Sequence, residues 1–333
     1  MKDVLVSIII PVIKVNDFLR DETIPALLKQ TFKDFEIIIV TDKISNEQFS
    51  KTKIIASWPR TGPADKRDLG VKKSKSEIIA FLDDDSYPEH DWLENALSIF
   101  KENQNIAGVC GPSLTPPQNN IRQKASGYVW STWLGSGGAG TYRCAKSSRR
   151  EVDDFPTVNL LVRKKDFNSV GGFDSHYWPG EDTKLCLDLT KKLGKKIIYD
   201  PGVVVYHHRR EVFGPHLKQI SRYAIHRGHF ARIFPETSLR LGYLLPSFFV
   251  LGLFSIPIIF MFFPNSLLLF YSLVYTTSGL LLYLFLLFYT ATGVYQKEKN
   301  IRLSGLVMLS IFITHLFYGI LFIKGFFTPK LKK

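Results

Sequence analysis

Residues Ile78–Tyr87 read IIAFLDDDSY, an apolar run that stops abruptly at three consecutive aspartates, Asp83, Asp84 and Asp85. A short apolar run bounded by polar residues has the composition of a buried strand, and ligands of open α/β sheets gather beyond the carboxyl ends of such strands. The three carboxylates therefore stand at the rim where a ligand would sit. Like charges this close repel, and a hard divalent cation with oxygen ligands, shared with a phosphate, would offset them. The plainer alternative is a solvated acidic turn ahead of a helix starting near Pro88, and the rest of the chain decides between the two.

Upstream, Val4 to Val12 is rich in β-branched residues and reads as a buried parallel strand. The opening MKDVLVSIIIPVI places charge before an apolar run. That run is short, Asp3 interrupts the charged start and no small-residue cleavage site follows, so it reads as a strand rather than a signal peptide. Asn16 begins a helical pattern through Phe18, Leu19, Ile24, Leu27 and Leu28. Glu36 to Val40 is a second strand, ending at Thr41-Asp42; Ile54 to Ser57 is a third, leading through Gly62-Pro63 into a helix bearing Lys66 and Arg67. This alternation predicts an α/β doubly wound sheet that collects Asp42, Arg67 and Asp83 to Asp85 at strand ends. Asp42 suits a nucleobase or ribose, and Arg67 has the planar fork for a diphosphate; a loop carboxylate and a surface arginine are the ordinary alternatives.

Downstream, a helix is expected from Glu89 to Lys101, and then Thr115 to Asp154 turns polar and glycine-rich. A loop this long is usually functional, and it is expected to be a mobile segment near an acceptor. Its GSGGAG at Gly135 to Gly140 is no phosphate loop, since no GK[ST] follows. Thr157 to Val162 reads as a strand, followed by a helix from Lys164, a Gly171-Gly172 turn and an amphipathic helix headed by Glu181-Asp182. Acids at a helix start answer to the macrodipole, or supply a base that takes an acceptor proton. The strand Val203 to Tyr206 runs into His207-His208-Arg209-Arg210, where the first histidine is a metal ligand or a surface imidazole.

The last third differs in kind. Leu241 to Gln296 holds 56 residues without Lys, Arg, Asp or Glu, and Leu303 to Ile323 adds 21 more. A crossing takes roughly 20 apolar residues, which gives three spans at about 243–263, 267–290 and 303–323. Phe213 to Phe234 has helical apolar spacing, with Lys218, Arg222, His226, His229 and Arg232 on its other face, as expected of a helix lying in the membrane interface. Of the net charge of +13, the residues after Arg240 carry +6 and the first 240 carry +7. That excess, without a long basic run, suits an anionic membrane surface and anionic substrates rather than nucleic acid. Cys110, Cys144 and Cys186 form no CxxC and read as reduced cytoplasmic thiols.

Taken in order, SIIIPV, EIIIV with its aspartate, LDDD, GGFD, the ED pair and YHHRR resemble family 2 glycosyltransferases with a GT-A fold, over roughly residues 4 to 234. The resemblance implies a cytoplasmic GT-A domain at 1–212, an interfacial helix at 213–240 and an all-α transmembrane domain at 241–333. It implies Mg2+ or Mn2+ on Asp83 and Asp85, with His207 as the third ligand, and a nucleotide-sugar donor held by Asp42, Arg67, Asp83 and Asp84. Asp182 inherits the role of base, with Glu181 beside it. Gln219-Ile220-Ser221-Arg222-Tyr223 is similar to the Q-x-x-R-W element of membrane-embedded polysaccharide synthases, with tyrosine for tryptophan. That likeness gives Arg222 to the donor diphosphate and Tyr223 to the acceptor sugar, with Trp178 also on the acceptor side. The family departs here in two places: Thr41-Asp42 replaces an acidic pair, and Asp68 stands where asparagine often follows the arginine.

The reaction so implied is an inverting transfer to a lipid-linked, polyprenyl-type acceptor in surface polysaccharide or glycolipid assembly, by a multi-pass protein of the cell membrane. Rival readings are a polyprenyl-phosphate sugar synthase, a processive polysaccharide synthase, and a nucleotide-sugar-binding scaffold without turnover. Lys297, Lys299 and Arg302 follow the second span on the side of the catalytic domain, as positive residues should. Three full spans put Lys324, Lys330, Lys332 and Lys333 on the other side, against that rule. His315 lies inside the last apolar segment, either as a functional group or as an imidazole bonded to a neighbouring helix.

Overall fold

The computed structural model describes residues 4–58, 61–138 and 140–331. The chain divides into two compact units, one running to Pro117 and resuming at Tyr142–His208, the other formed by Gln118–Thr141 and the residues from Arg209 on.

In the first unit, β1 (Val6–Pro11) lies between β2 (Phe35–Thr41) and β4 (Ile78–Leu82), parallel to both, with Ile9 opposite Ile38 and Phe81. β3 (Thr52–Ala56) extends the sheet beyond β2. Helices α1 (Ile24–Leu28), α2 (Pro63–Lys73) and α3 (Trp92–Glu102) follow strands β1, β3 and β5 (Ser86–Pro88) respectively. β1 is buried at every position because both faces of the sheet are covered. Ile8 and Ile10 join one apolar cluster and Ile9 the other, as alternation along a strand requires. Burying each such isoleucine contributes about 1.5–3 kcal/mol.

The other half of the sheet is not wound in parallel. β9 (Asn159–Arg163) runs antiparallel between β4 and β6 (Ile106–Cys110), β10 (Lys196–Tyr199) returns parallel to β6, and β8 (Arg150–Val152) is an antiparallel edge. The expected doubly wound sheet is thus a mixed one. An apolar run such as NLLVR does not record its direction, and an antiparallel strand needs no crossover helix to betray it. A second, three-stranded sheet sets β11 (Val205–His207) between β5 and β7 (Ser113–Leu114). Helices α7 (Lys164–Ser169) and α8 (Glu181–Leu187) close the unit. The three cysteines are free thiols, with Cys110 and Cys186 buried.

The stretch expected to be a loop from Thr115 to Asp154 is nearly half helical. It forms α4 (Ile121–Ser131), α5 (Trp133–Ser136) and α6 (Thr141–Cys144) before reaching β8. A capping box starts α4: the Asn120 side chain accepts from the backbone of Gln123, whose own side chain bonds back. The buried face is Ala125, Ser126, Gly127 and Val129, too small and too polar to register as an apolar stripe. This helix belongs to the second unit, so the expected contiguous division at residue 212 is interrupted by residues 118–141.

The second unit continues with α9 (Gly214–Ile233), α10 (Pro235–Ser238), α11 (Leu241–Phe262), α12 (Leu267–Glu298) and α13 (Ile301–Phe326). The last three are long and apolar enough to cross a membrane. α12 runs past the expected end of its span at 290. α9 also departs from the expected amphipathic pattern: Lys218, Arg222 and Arg232 are exposed, but His226, Arg227 and His229 are buried beside Ile220, Ala224 and Phe230. Its second face is packed rather than solvated because α13 covers it: His229 Nδ1 bonds the Thr328 carbonyl at 2.9 Å.

Candidate active site

β4 ends at Leu82 and the chain turns through Asp83–Asp85 into β5. Antiparallel pairing sets His207 of β11 opposite Ser86, which brings its Nε2 to 3.1 Å from Asp85 Oδ1. Asp83, Asp85 and His207 offer ligand atoms that all lie within 4.8 Å of one another. Two carboxylate oxygens and an imidazole nitrogen suit a divalent cation, so the three residues expected as ligands come together in a set that fits one.

Asp84 points elsewhere: it accepts a hydrogen bond from Asn16 Nδ2 at 2.5 Å. Burial, with Asp85 and Asp83 adding to it, pushes its carboxyl up to about 6. At the end of β2, Asp42 is buried and pairs with Lys66 Nζ at 2.5 Å, while the same ammonium donates to the Val12 carbonyl at 2.7 Å. Lys66, 3 % exposed, therefore fixes where Asp42 stands.

One guanidinium links the aspartate cluster to the acidic pair. Arg67 donates from Nη2 to Asp83 at 2.9 Å and from Nη1 to Glu181 at 3.1 Å. The fork that the sequence offers to a diphosphate is here engaged by two protein carboxylates. Glu181 opens α8; burial first, then the charge of Asp182, raises its pKa, against the pull of Arg67. Asp182 is half-buried, and its Oδ1 accepts from the Thr183 N–H at 2.7 Å. The Thr183 hydroxyl donates to Asp154 at 2.9 Å, and Asp154 is itself paired with Arg143 at 2.9 Å. The first turn of α8 is thereby tied to a buried ion pair.

The GGFD turn is fixed by the residue that departs from the family pattern. Asp68 accepts from the Phe173 N–H at 3.0 Å, and burial pushes its carboxyl up to about 6. Gly172 has φ +78°, and a Cβ there would stand 2.8 Å from Asp68 Oδ1, so only glycine serves. Trp178 follows the turn Ser175–Tyr177 and is half-buried. His208, beside His207, bonds Glu22 at 2.9 Å and lies 4.6 Å from the Phe18 ring.

Arg222 and Tyr223 belong to the second unit. Arg222 is exposed on α9. Tyr223 is half-buried, with the rings of Trp130 and Tyr318 at 5.8 and 6.2 Å and the Arg227 guanidinium 5.0 Å from its centroid.

Sequence reading missed Asn16, Arg143, Asp154 and Asn159. Asn159 accepts from Trp92 Nε1 at 2.9 Å and donates to the carbonyls of Gly111 and Val203, both at 2.7 Å, so it joins three segments beneath the rim. Its signal was present: a lone amide at the head of an otherwise apolar strand is buried only if bonded. Arg143 and Asp154 stood at the end of a stretch read as loop, and nothing local marked them.

A profile described as Glycosyl transferase family group 2 matches residues 78–323, well over half of the chain. A glucosyl-dolichyl phosphate glucuronosyltransferase of Haloferax volcanii is 21 % identical over 207 residues, which are 56 % of this chain and 63 % of that protein. A pre-mycofactocin glycosyltransferase of Mycobacterium tuberculosis is 28 % identical over 151 residues, 45 % of this chain and 30 % of that one. An uncharacterized glycosyltransferase of Rickettsia bellii is 38 % identical over 116 residues, 32 % and 16 % respectively. The chain thus spans less than two thirds of the length of each of these relatives. Among solved structures, a mannosyltransferase from Pyrobaculum calidifontis in complex with GDP-Man and Mn2+ shares the fold at a TM-score of 0.59 and 15 % identity, covering 93 % of this chain and 86 % of that one. With the mixed sheet, its rim of aspartates and the profile in agreement, the chain belongs to the family 2 glycosyltransferases and carries their GT-A fold.

Proposed function

We propose that the protein moves a sugar from a nucleoside-diphosphate donor to a lipid-linked acceptor, inverting the anomeric carbon. The observation that carries this reading is the single guanidinium of Arg67 between Asp83 and Glu181: the charge-bearing end of the site and the acidic pair are one bonded assembly. A divalent cation on Asp83, Asp85 and His207 would offset the charge gathering on the diphosphate as it leaves. With an imidazole among the ligands, Mn2+ suits the set better than Mg2+, which prefers oxygen alone.

The chain's own groups do the rest. Asp182, held by the Thr183 N–H, takes the proton of the acceptor hydroxyl as that oxygen bonds to the anomeric carbon and the bond to the diphosphate breaks. Glu181 serves as the anchor of Arg67 rather than as a second base. Asp42, set by Lys66, accepts from the base or ribose of the donor. Arg222 and Tyr223 serve the diphosphate and the acceptor sugar, and Trp178 the acceptor.

A lipid acceptor is supported by three helices apolar enough for a membrane in the same chain and by a relative named for a dolichyl phosphate substrate. The GDP-Man and Mn2+ of the Pyrobaculum mannosyltransferase make that donor and ion the first to try. We place the catalytic unit in the cytoplasm, where nucleotide sugars are made.

The test is detergent-purified protein with a panel of nucleotide sugars, Mn2+ or Mg2+ and a lipid extract, reading nucleoside diphosphate release and the mass of the lipid product. Asp182→Asn should lower transfer by about 10²–10⁴-fold while nucleotide binding persists. Unchanged turnover in that variant defeats the assignment of the base. The product's mass and alkali stability separate a glycosidic link from a sugar phosphate.

A further inference from the structure

The contacts inside the second unit decide where its last apolar helix ends. α11 and α12 are joined by residues 263–266 alone and pack side by side, with the rings of Phe249 and Tyr283 4.6 Å apart. Such a hairpin puts the start of α11 and the end of α12 at one end. α13 follows α12 after Lys299 and Asn300, so it begins there too.

Its first half packs back along the last turns of α12. Leu303, Val307 and Ile311 share a cluster with Leu287 and Val294, and Tyr283 bonds His315 Nδ1 at 2.9 Å. Its second half packs on α9 and on the first turns of α11. Tyr318 and Phe322 cluster with Tyr243, and Ser247 donates to the Gly319 carbonyl at 3.1 Å. Against α9 the backbones touch: a Cβ on Gly228 would lie 2.0 Å from the Phe322 oxygen, and one on Gly325 2.1 Å from that of Ile225. The contact runs from His216 with Thr314, at 3.0 Å, to Arg232, which donates to the Thr328 carbonyl at 2.6 Å, so the two helices run parallel. α9 leads through α10 directly into Leu241. The end of α13 is therefore tied to the same end of the hairpin as its start.

Lengths and charges agree. α11, with 22 residues, is about 33 Å long, close to the roughly 30 Å of the hydrocarbon core. α12, with 32, is about 48 Å long and overshoots, and α13 covers its last turns from Tyr283 to Val294. Of the most apolar stretch of α13, 44 % is buried inside the protein, against 17 % in α11 and 6 % in α12. If α13 crossed, Lys324, Lys330, Lys332 and Lys333 would face away from Lys297, Lys299 and Arg302; if it does not, all seven basic residues after Arg240 share one side, as the positive-inside rule asks.

We propose that α13 does not cross the bilayer. The protein crosses twice, through α11 and α12, and α13 lies along the membrane surface on the side of entry. It turns exposed Leu309, Phe317 and Ile320, which share one face, to lipid, while Lys218, Arg222, Arg232, Lys324 and Lys330, all exposed, meet anionic headgroups. This topology is independent of the transfer reaction, so its failure leaves that reading untouched.

Three exposed positions report it: Glu236 before α11, Asn265 in the hairpin turn and Lys330 after α13. Each is changed to cysteine in a Cys144→Ser background and exposed to a membrane-impermeant maleimide in sealed vesicles of known orientation, then in detergent. Asn265→Cys should label from one side, and Glu236→Cys and Lys330→Cys both from the other. Lys330→Cys labelling together with Asn265→Cys means three crossings and overturns the proposal, as does labelling of all three from one side. Should a variant fail to fold, the wild-type chain carries the same question in carboxyl-terminal fusions. With the catalytic unit inside, a green fluorescent protein should shine and an alkaline phosphatase stay inactive; the reverse overturns it.

Discussion

The two units tie down their buried polar groups by opposite means. Around the rim of the sheet the ties are ionic: Arg67 with Asp83 and Glu181, Lys66 with Asp42, and Arg143 with Asp154, every one of these side chains at most 9 % exposed except Asp83. Between the helices of the second unit they are mostly neutral: Ser126 and Thr314 on either side of His216, Ser247 on the Gly319 carbonyl, and Tyr283 on His315. A buried ion pair adds little net stability over an apolar replacement but is expensive to break. Charge is thus kept at the rim where the proposed donor would bind, and helix register, which needs only direction, is left to hydroxyls and imidazoles.

Breaking the ionic side should give the largest effect on stability. Arg67→Met strands Glu181, 5 % exposed, and leaves Asp83 with a neighbouring carboxylate and no cation of its own. A loss of about 3–5 kcal/mol of unfolding free energy is expected, the range for removing one partner of a buried pair. Arg67→Lys should fall between, because an ammonium lacks the fork that spans two carboxylates. Denaturant titration of the purified protein measures both, and a change below about 1 kcal/mol in the methionine variant would mean the bridge is not the tie described.

The same contrast governs what could be read from the sequence. Ionic sites announce themselves because charged residues are rarely buried without cause. LDDD after an apolar run, ED at a helix start and HH after a strand point to the rim, and in the structure Asp83, Asp85 and His207 come together. Apart from the buried Arg143–Asp154 pair, what stayed hidden was built from residues with no charge to advertise. α4 buries Ala125, Ser126 and Gly127 and was read as loop, although Asn120 and Gln123 spelled a capping box. His226 and His229 read as a polar face because imidazole looks polar in a helical wheel; in the folded chain both are buried. The antiparallel course of β9 was equally silent, since strand direction is set by partners far away in the chain.

A second prediction tests the neutral side with pH. His216 is 1 % exposed between Ser126 and Thr314, and burial lowers its pKa from 6.5 to about 4. The unfolded imidazole takes a proton below pH 6.5 that the folded one refuses until about 4. Stability from this group is therefore complete above pH 6.5 and declines as pH falls between those values, by up to about 1.4 kcal/mol per pH unit. Thermal melts of the wild type and His216→Gln from pH 7 to 4 isolate it, because other groups cancel in the difference. The variant's deficit should shrink as pH drops; parallel curves would show that His216 is not held neutral.

The smallest effect is expected for a neutral tie at the membrane boundary. Tyr283 Oη and His315 Nδ1 are 2.9 Å apart, linking α12 to α13. A hydrogen bond out of reach of water would be strong if the alternative were an unmet polar group in hydrocarbon. In a membrane the separated helices find other partners, and measured pairs average only about 0.6 kcal/mol, with a ceiling near 1.7. Tyr283→Phe keeps the ring against Phe249 and Phe312 and removes only the hydroxyl. Paired with His315→Phe in a double-mutant cycle read by denaturant unfolding in mixed micelles, it should return a coupling of about 0.5–1 kcal/mol. A coupling above about 3 kcal/mol would put this pair on a level with the Arg67 bridge. The division between ionic ties at the sheet rim and weak neutral ties among the helices would then fail at its clearest point.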